Sequence, residues 1–222
     1  MSHPEISRSK EPIRLFKSDV LEFFTHIHPA VVAVLWAPVV GWFLWRAVRN
    51  RAAFAWAWPV SVGLAFLGGL FCWTLAEYVL HRFLFHFRPR TAWQERVSFL
   101  FHGVHHAQPR SKTRLVMPPA VSIPLAALFY GFFYLVIGLV LGGRHWVAPV
   151  FSGFIAGYLA YDMFHYAMHH VPMRRGVWRS LRRHHMYHHT QTPNLRFGVS
   201  SPLWDVVFGT TGRQRAGHNP AG

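Results

Sequence analysis

The chain of 222 residues has few cysteines and few acidic side chains. Its one cysteine, Cys72, excludes an internal disulfide, and its place inside an apolar run predicts a small buried side chain. Only 8 Asp and Glu residues stand against 23 Lys and Arg residues, which gives a formal net charge of +15. Such a basic and apolar chain is expected to meet either nucleic acid or a membrane surface.

The N-terminus also lacks the features of a cleavable signal peptide. Its first twenty residues contain no short apolar core followed by a small-residue cleavage site. We therefore expect the first apolar run to act as an uncleaved anchor. The length corresponds to one domain.

Four apolar runs are long enough, or nearly so, to cross a bilayer, which takes about 20 helical residues. They cover Pro29–Trp45, Pro59–Leu80, Pro118–Gly143 and Trp146–Tyr161. These runs favour a membrane over nucleic acid. They predict an all-α integral membrane protein whose four transmembrane helices form two hairpins, the first span with the second and the third with the fourth.

The basic residues are distributed unequally between the two sides of the predicted membrane protein. Residues 1–28, 81–117 and 171–222 hold four, seven and eight Lys or Arg, whereas the opposite side holds four. The positive-inside rule therefore places both termini in the cytoplasm, in the inner or plasma membrane if the source is bacterial. The positive charge then sets the orientation of the protein in the membrane and contacts anionic lipid head groups. No nucleic-acid partner is expected.

Three regions follow from this pattern. Residues 1–28 form a cytoplasmic segment in which PIRLFKSDVLEFFTHIH is compatible with a helix on the membrane surface. Residues 29–212 form the membrane-embedded domain, capped by cytoplasmic helices. Residues 213–222 are expected to be disordered.

Histidine is the residue that stands out most. Twelve of the 17 histidines fall into four clusters, HRFLFH, FHGVHH, HYAMHH and RRHHMYHH, all in or next to the predicted cytoplasmic segments. The five isolated ones are expected to be packing residues: His3, His26, His28, His145 and His218.

The spacing of the clustered histidines indicates a shared target. Residues three and four apart lie on one helix face, which groups His102 with its neighbours at 105 and 106, His185 with those at 188 and 189, and His165 with that at 169. His81 and His86 are five apart, so we expect the helix to loosen or end between them.

This number of clustered imidazoles predicts a metal-binding site. Imidazole suits zinc, iron, copper and nickel. Because one tetrahedral zinc takes only about four ligands, ten or more histidines indicate two ions. A pH-sensing cluster would not need the repeated helical spacing.

The motifs EYVLHRFLFH, HGVHH, RLVMPP, GYLAYDMFHYAMHH and FGVSSPLWDVVFGT resemble the fatty acid hydroxylase/sterol desaturase superfamily, and among its branches most resemble the fatty acid 2-hydroxylases. The resemblance covers Trp73 to Gly212. It implies a histidine-bound dimetal centre, di-iron in the active form, that uses O₂ to hydroxylate C2 of long fatty acyl chains, free or lipid-linked. Zinc could replace iron in purified protein.

Carried over by position, the resemblance implies ten metal ligands: His81, His86, His102, His105, His106, His165, His169, His185, His188 and His189. His170 and His184 are additional neighbours. The spacing does not divide the ligands between the two ions.

Two acids are candidates for orienting these ligands, because metal-bound imidazoles usually donate their second N–H to a carboxylate or carbonyl. Asp162 lies three residues before His165, and Glu77 lies four before His81. Arg114 opens the third span and serves either as an interfacial charge or as a contact for the substrate's carboxylate or thioester end.

Other functions remain open at this point. The same chemistry serves sterol or carotenoid hydroxylases and desaturases. A metal transporter is disfavoured, because transporter ligands lie near the bilayer midplane. Eukaryotic relatives often carry an N-terminal haem domain. Since only about 28 residues precede the first span here, a separate electron-transfer protein is expected, besides the lipid substrate and the surrounding membrane lipids.

Overall fold

The computed structural model describes residues 11–212, apart from the side chains of residues 55 and 56. This part of the chain is helical and contains no strand. Its α-helices are α1 (Asp19–Phe23), α2 (Pro29–Arg49), α3 (Trp58–Val79), α4 (Ala92–Ser98), α5 (Val104–Ala107), α6 (Pro119–Phe133), α7 (Arg144–His170), α8 (Gly176–Thr190) and α9 (Leu203–Val207). The predicted disordered tail, residues 213–222, lies outside the described residues.

The four predicted spans are present as long apolar helices. They cover Pro29–Arg49, Trp58–Phe85, Pro119–Val140 and Arg144–His170. Each exceeds the length of about 20 residues that a hydrocarbon core requires. The prediction of a four-span, all-helical membrane protein is confirmed at this level.

α7 is the central helix of the bundle. Of its most apolar 18 residues 61% are buried, against 22% or less in the other three spans. It packs mainly on α3 and α2. The Ser152 hydroxyl on α7 donates to the carbonyl oxygen of Val40 on α2 at 2.9 Å, which adds a polar contact between these two helices.

Glycines bring α3 and α7 into backbone contact. A Cβ added to Gly153 would lie 1.9 Å from the carbonyl oxygen of Phe66, and one added to Gly69 would lie 1.9 Å from that of Val150. Small residues let membrane helices approach this closely. The close approach fixes the positions of the two helices whose C-terminal ends carry histidines.

Two extensions of the spans are π-helical, which means that their hydrogen bonds join residues five apart and not four. They cover Leu80–Phe85, after α3, and Tyr134–Val140, after α6. A third π-helical segment, Phe99–Gly103, joins α4 to α5. Such segments occur frequently at functional sites.

The N-terminal segment, residues 11–28, lies against residues 108–114. The backbone N–H of Ile27 donates to the carbonyl oxygen of Thr113 at 2.7 Å, and the N–H of Ile13 donates to the side chain of Gln108 at 2.9 Å. The expected surface helix is limited to the five residues of α1, where Phe23 is exposed. We call residues 11–28 the strap.

The expectation of a buried Cys72 is wrong, since this side chain is exposed on α3. An apolar surrounding sequence does not distinguish a core position from one that faces lipid, because both are apolar.

We predict that Gly153→Ala destabilises the bundle by about 1–3 kcal/mol, because the added methyl group would overlap the backbone of α3. The thermal unfolding midpoint in one detergent measures the effect. Gly68→Ala is the matched control, since a Cβ there meets nothing within 4 Å. Equal midpoints for the two variants would contradict the close contact.

Candidate metal centre

The clustered histidines form two groups of five. In each group one ring nitrogen per residue lies within 4.8 Å of all the others. The first group contains His81, His86, His102, His106 and His188, and the second contains His105, His165, His169, His185 and His189. These ten are the residues that the motif resemblance names, and His170 and His184 belong to neither group.

Helix geometry explains the division into two groups. Residues four apart share a face, so His102 and His106 join one group whereas His185 and His189 join the other. Adjacent residues on an α-helix point about 100° apart, which places His105 in a different group from its neighbour His106. Residues three apart are divided, however, His102 from His105 and His185 from His188, so the spacing alone does not give the assignment to two groups.

The π-helical turn brings the pair of histidines at 81 and 86 into one group. The N–H of His86 donates to the carbonyl oxygen of His81 at 3.1 Å, which is an i to i+5 bond. The expectation that the helix loosens between these two residues is confirmed. A regular α-helix would point these two imidazoles in different directions, whereas the longer turn brings them to one point.

The imidazoles face one another through their Nε2 atoms. In the first group His81 lies 3.1 Å from His102, and His188 lies 3.0 Å from His86. In the second group the corresponding distances are 2.9–3.0 Å among His105, His169, His185 and His189. Two ligands about 2.1 Å from one ion at right angles would stand roughly 3 Å apart, so this spacing suits a shared cation.

Backbone carbonyls fix two of the rings. The Nδ1 atom of His81 lies 2.5 Å from the carbonyl oxygen of Phe197, and that of His188 lies 2.7 Å from the carbonyl oxygen of Leu195. A carbonyl only accepts, so each Nδ1 carries the proton and each Nε2 presents its lone pair to the first group. Outer hydrogen bonds of this kind orient metal-bound imidazoles.

Two buried carboxylates hold the segment that supplies these carbonyls. Glu77 accepts the backbone N–H groups of Val199 and Ser200 at 2.6 and 2.9 Å. Asp205 accepts those of Phe197 and Gly198 at 2.9 and 2.8 Å. Glu77 therefore bonds the loop next to His81 and not the imidazole that its spacing indicated.

Asp205 was missed by sequence reasoning, because its partners lie on a loop and not at a helical spacing. It also accepts from Thr210 Oγ1 at 2.7 Å and contacts His184 Nε2 at 3.0 Å. Burial alone would raise its pKa, but hydrogen bonds, that of His184 first, hold the pKa below its usual value. Asp205 is therefore ionised, and His184 is one of its hydrogen-bond partners.

Burial keeps the imidazoles neutral. It lowers the pKa of five of the histidines outside the spans well below 6.5, and the surrounding imidazoles lower it further; these five are His102, His105, His185, His188 and His189. Neutral imidazole is the form that binds metal. The donor set and its spacing thus fit two transition-metal ions such as zinc or iron.

A cavity of about 310 Å³ reaches both groups. His102 of the first group and His105 and His165 of the second are among the residues that line it. Most of its other walls are apolar and come from the strap, the segment Phe85–Val104 and the start of α6. A mostly apolar cavity with a few polar groups is the usual form of a small-molecule site.

Asp162 lies at this cavity, beside His165. Its carboxylate accepts the backbone N–H of Met117 at 3.2 and 3.4 Å, and no hydrogen bond to an imidazole is found for it within residues 11–212. It therefore holds the cavity wall at Met117, and an orienting role toward His165 remains a proposal.

Comparison with known proteins gives consistent matches. A family profile described as fatty acid hydroxylase matches residues 66–210. The chain is 37% identical over 202 residues to dihydroceramide fatty acyl 2-hydroxylase FAH1 of Arabidopsis thaliana, covering 91% of this chain and 81% of that protein. It is 35% identical over 225 residues to fatty acid 2-hydroxylase of Mus musculus, covering 94% and 58%.

A solved structure has the same fold. It is described as full-length scs7p with only its hydroxylase domain visible. The match has a TM-score of 0.77 at 37% identity and covers 86% of this chain and 69% of that chain.

We predict that the purified protein binds two transition-metal ions per chain and that each group of five holds one. His86→Ala/His188→Ala and His169→Ala/His185→Ala should each lower the metal content to about one ion, measured by mass spectrometry of the metals. His145→Ala is the control, because this ring contacts Phe54 edge-to-face and belongs to neither group. Two retained ions in both double variants would contradict the assignment.

We predict that Asp205→Asn weakens metal binding about 10- to 100-fold at the first group only, because the loop that orients His81 and His188 loses an anchor. Competition with a chelator measures the two affinities, and the second ion serves as the internal reference. Glu95→Gln removes an exposed acid as a control. Equal weakening at both sites would indicate general unfolding instead.

Proposed function

Because the chain belongs to the fatty acid hydroxylase family, we propose that it is a membrane-bound di-iron oxygenase that hydroxylates C2 of long fatty acyl chains, free or lipid-linked. The family assignment made from the histidine motifs is confirmed, and the chain is an enzyme of acyl hydroxylation. The position C2 is taken from the names of the relatives, which are 2-hydroxylases.

The observation that carries the proposal is the contact between an apolar cavity and both histidine groups. Apolar residues such as Phe85, Leu100 and Phe101 line the cavity together with His102 and His105. An acyl chain in this cavity would place one of its carbons beside both groups. The apolar walls would exclude water from the reacting carbon.

The ten imidazoles would hold two iron ions. When bound, iron would supply the activation of O₂ on which hydroxylation depends. Zinc in purified protein would be an inactive substitute. The roles of the chain are to hold the ligands neutral, to orient them through the loop that Glu77 and Asp205 anchor and through Asp162 beside His165, and to position the acyl chain.

The stoichiometry requires an outside source of electrons. Inserting one oxygen atom of O₂ into a C–H bond releases the other as water, which consumes two electrons and two protons. We assign the electrons to a separate electron-transfer protein.

Membrane orientation follows from the charge distribution. We propose that the four spans form two hairpins and that the histidine groups, the strap and both termini face the cytoplasm. Nineteen of the 23 basic residues lie in the three segments on that side. On this view α4, α5, α8 and α9 form a cytoplasmic cap over the ends of α3 and α7.

We predict that a heterologous host expressing this chain accumulates new 2-hydroxy acyl chains and that His105→Ala/His188→Ala, with one change in each group, abolishes them. Mass spectrometry of whole-cell lipids measures both results, and His145→Ala is the matched control. Hydroxylation at another carbon, or equal product from the double variant, would contradict the proposal.

A further inference from the structure

A surface groove runs along α8 and the loop that precedes it. Its volume is about 460 Å³, and its walls are arginine and methionine side chains. We call it the arginine groove, and it is lined by Met173, Arg174, Arg179, Arg182, Arg183 and Met186. α8 also supplies three of the ten clustered histidines, so the groove and the histidine groups share one helix.

The charges of the arginine groove are not balanced by the chain. Residues 163–204 contain six Arg and no acidic side chain. The two acids that border this stretch, Asp162 and Asp205, are buried and accept hydrogen bonds from backbone N–H groups. None of the arginines in the groove forms an ion pair within residues 11–212. The groove therefore attracts an anionic molecule from outside the chain.

Helix geometry directs the groove away from the spans. Successive residues on an α-helix point about 100° apart, so residues two apart point to nearly opposite sides. Arg179 stands two residues before Leu181, which is buried in the core of the bundle, and Arg183 stands two residues before the buried His185. Both arginines are exposed. A charged face that points away from the bundle suits a soluble partner better than lipid head groups.

The groove also lies close to the second histidine group. Nε of Arg182 donates to the carbonyl oxygen of Met168 at 2.8 Å, and Met168 directly precedes His169 of that group. Along α8, Arg183 is about 3 Å of helix rise from His185. Only the thickness of α8, about 10–12 Å with its side chains, separates the outer face of the groove from these imidazoles.

The side chains of the groove are of the kind that protein interfaces use. Arginine and methionine are both enriched where proteins meet. The methionines, Met173 and Met186, are partly exposed, and their flexible side chains adapt to the surface of a partner. Charge and composition thus indicate an acidic protein.

We propose that the arginine groove is the docking surface of the electron-transfer protein and that this partner is a small acidic one-electron carrier. This inference rests on the proposed function, whose stoichiometry requires electrons from outside, and it adds the place and the charge of their donor. For each hydroxyl group formed, two reduced carriers would each lose one electron, and two protons from solvent would complete the water that is released. Transient redox complexes have small interfaces and are steered by opposite charges, so a groove of this size is sufficient.

Binding to the metal-loaded protein in phosphatidylcholine nanodiscs tests the inference without turnover. The probes are an acidic [2Fe–2S] ferredoxin and a basic c-type cytochrome. We expect the wild type to bind the ferredoxin at least about tenfold more tightly than the cytochrome at about 50 mM salt. Raising the salt to about 500 mM should weaken ferredoxin binding about tenfold or more, because salt screens the charges.

Three double variants locate the binding surface. Arg179→Glu/Arg183→Glu reverses two charges of the groove and should weaken ferredoxin binding at least about tenfold. Arg179→Lys/Arg183→Lys keeps the charges and should retain the affinity within about threefold. Arg88→Glu/Arg90→Glu is the matched control, because it makes the same change in net charge at two exposed arginines outside the groove. It should leave ferredoxin binding unchanged, and the metal content of each variant verifies that it is folded.

Equal weakening by the two charge reversals would overturn the inference, since net charge and not the groove would then attract the carrier. A wild type that binds the ferredoxin no more tightly than the cytochrome, or binds neither, would overturn it as well. Phosphatidylglycerol added to the nanodiscs tests the other occupant. If Arg179→Glu/Arg183→Glu loses bound phosphatidylglycerol in native mass spectrometry but keeps its affinity for ferredoxin, the groove is a lipid site and the inference is wrong.

The inference and the proposed function fail in different ways. Absence of docking together with new 2-hydroxy lipids in cells would leave the proposed function intact. Docking at the groove without hydroxylated lipid, in a host that also produces the carrier, would overturn the proposed function while the docking surface remained.

Discussion

The convergence of neutral imidazole lone pairs inside a buried space is the constraint on which the rest of the structure depends. Nitrogen atoms 2.9–3.1 Å apart repel one another when each presents a lone pair, and burial makes protonation costly. A cation shared between them, an N–H that one ring donates to its neighbour, or outside support of the rings makes such an arrangement favourable. Much of the surrounding structure supplies that support.

This support reaches two of the rings through their outer nitrogen atoms. At the first group, carbonyl oxygens of Leu195 and Phe197 take the outer protons of two imidazoles. Glu77 and Asp205 in turn hold the loop that presents these carbonyls. The glycine contact between α3 and α7 fixes the two spans that end in histidines. Residues outside the two histidine groups thus hold the histidines in position.

The sequence predicts the spans and the convergence of the histidines because apolar runs define the first and motifs that resemble a known family define the second. Apolar length defines a span, and a spacing of three or four residues defines a helix face. The π-helical turn is foreseen for the same reason, since His81 and His86 do not match a regular helix.

Contacts between distant segments have no such local pattern. Glu22 and Arg114 form an ion pair although they are 92 residues apart, and no spacing rule connects them. The anchoring role of Asp205 depends on a loop conformation, and the exposure of Cys72 depends on which side of α3 meets lipid. These features depend on tertiary packing. No short-range periodicity in a single sequence shows how distant segments pack.

The depth of the histidine groups in the membrane bears on the carbon that reacts. At 1.5 Å per residue, His165 stands about 32 Å along α7 from Arg144, which is roughly one hydrocarbon thickness. The groups therefore lie near the end of the spans and not at the midplane. A lipid keeps its carbonyl at this boundary and its methyl end near the centre. Metal ions held at the boundary would meet the carbons next to the carbonyl first, so the vertical position of the ligands itself favours C2 over the remote carbons of the chain.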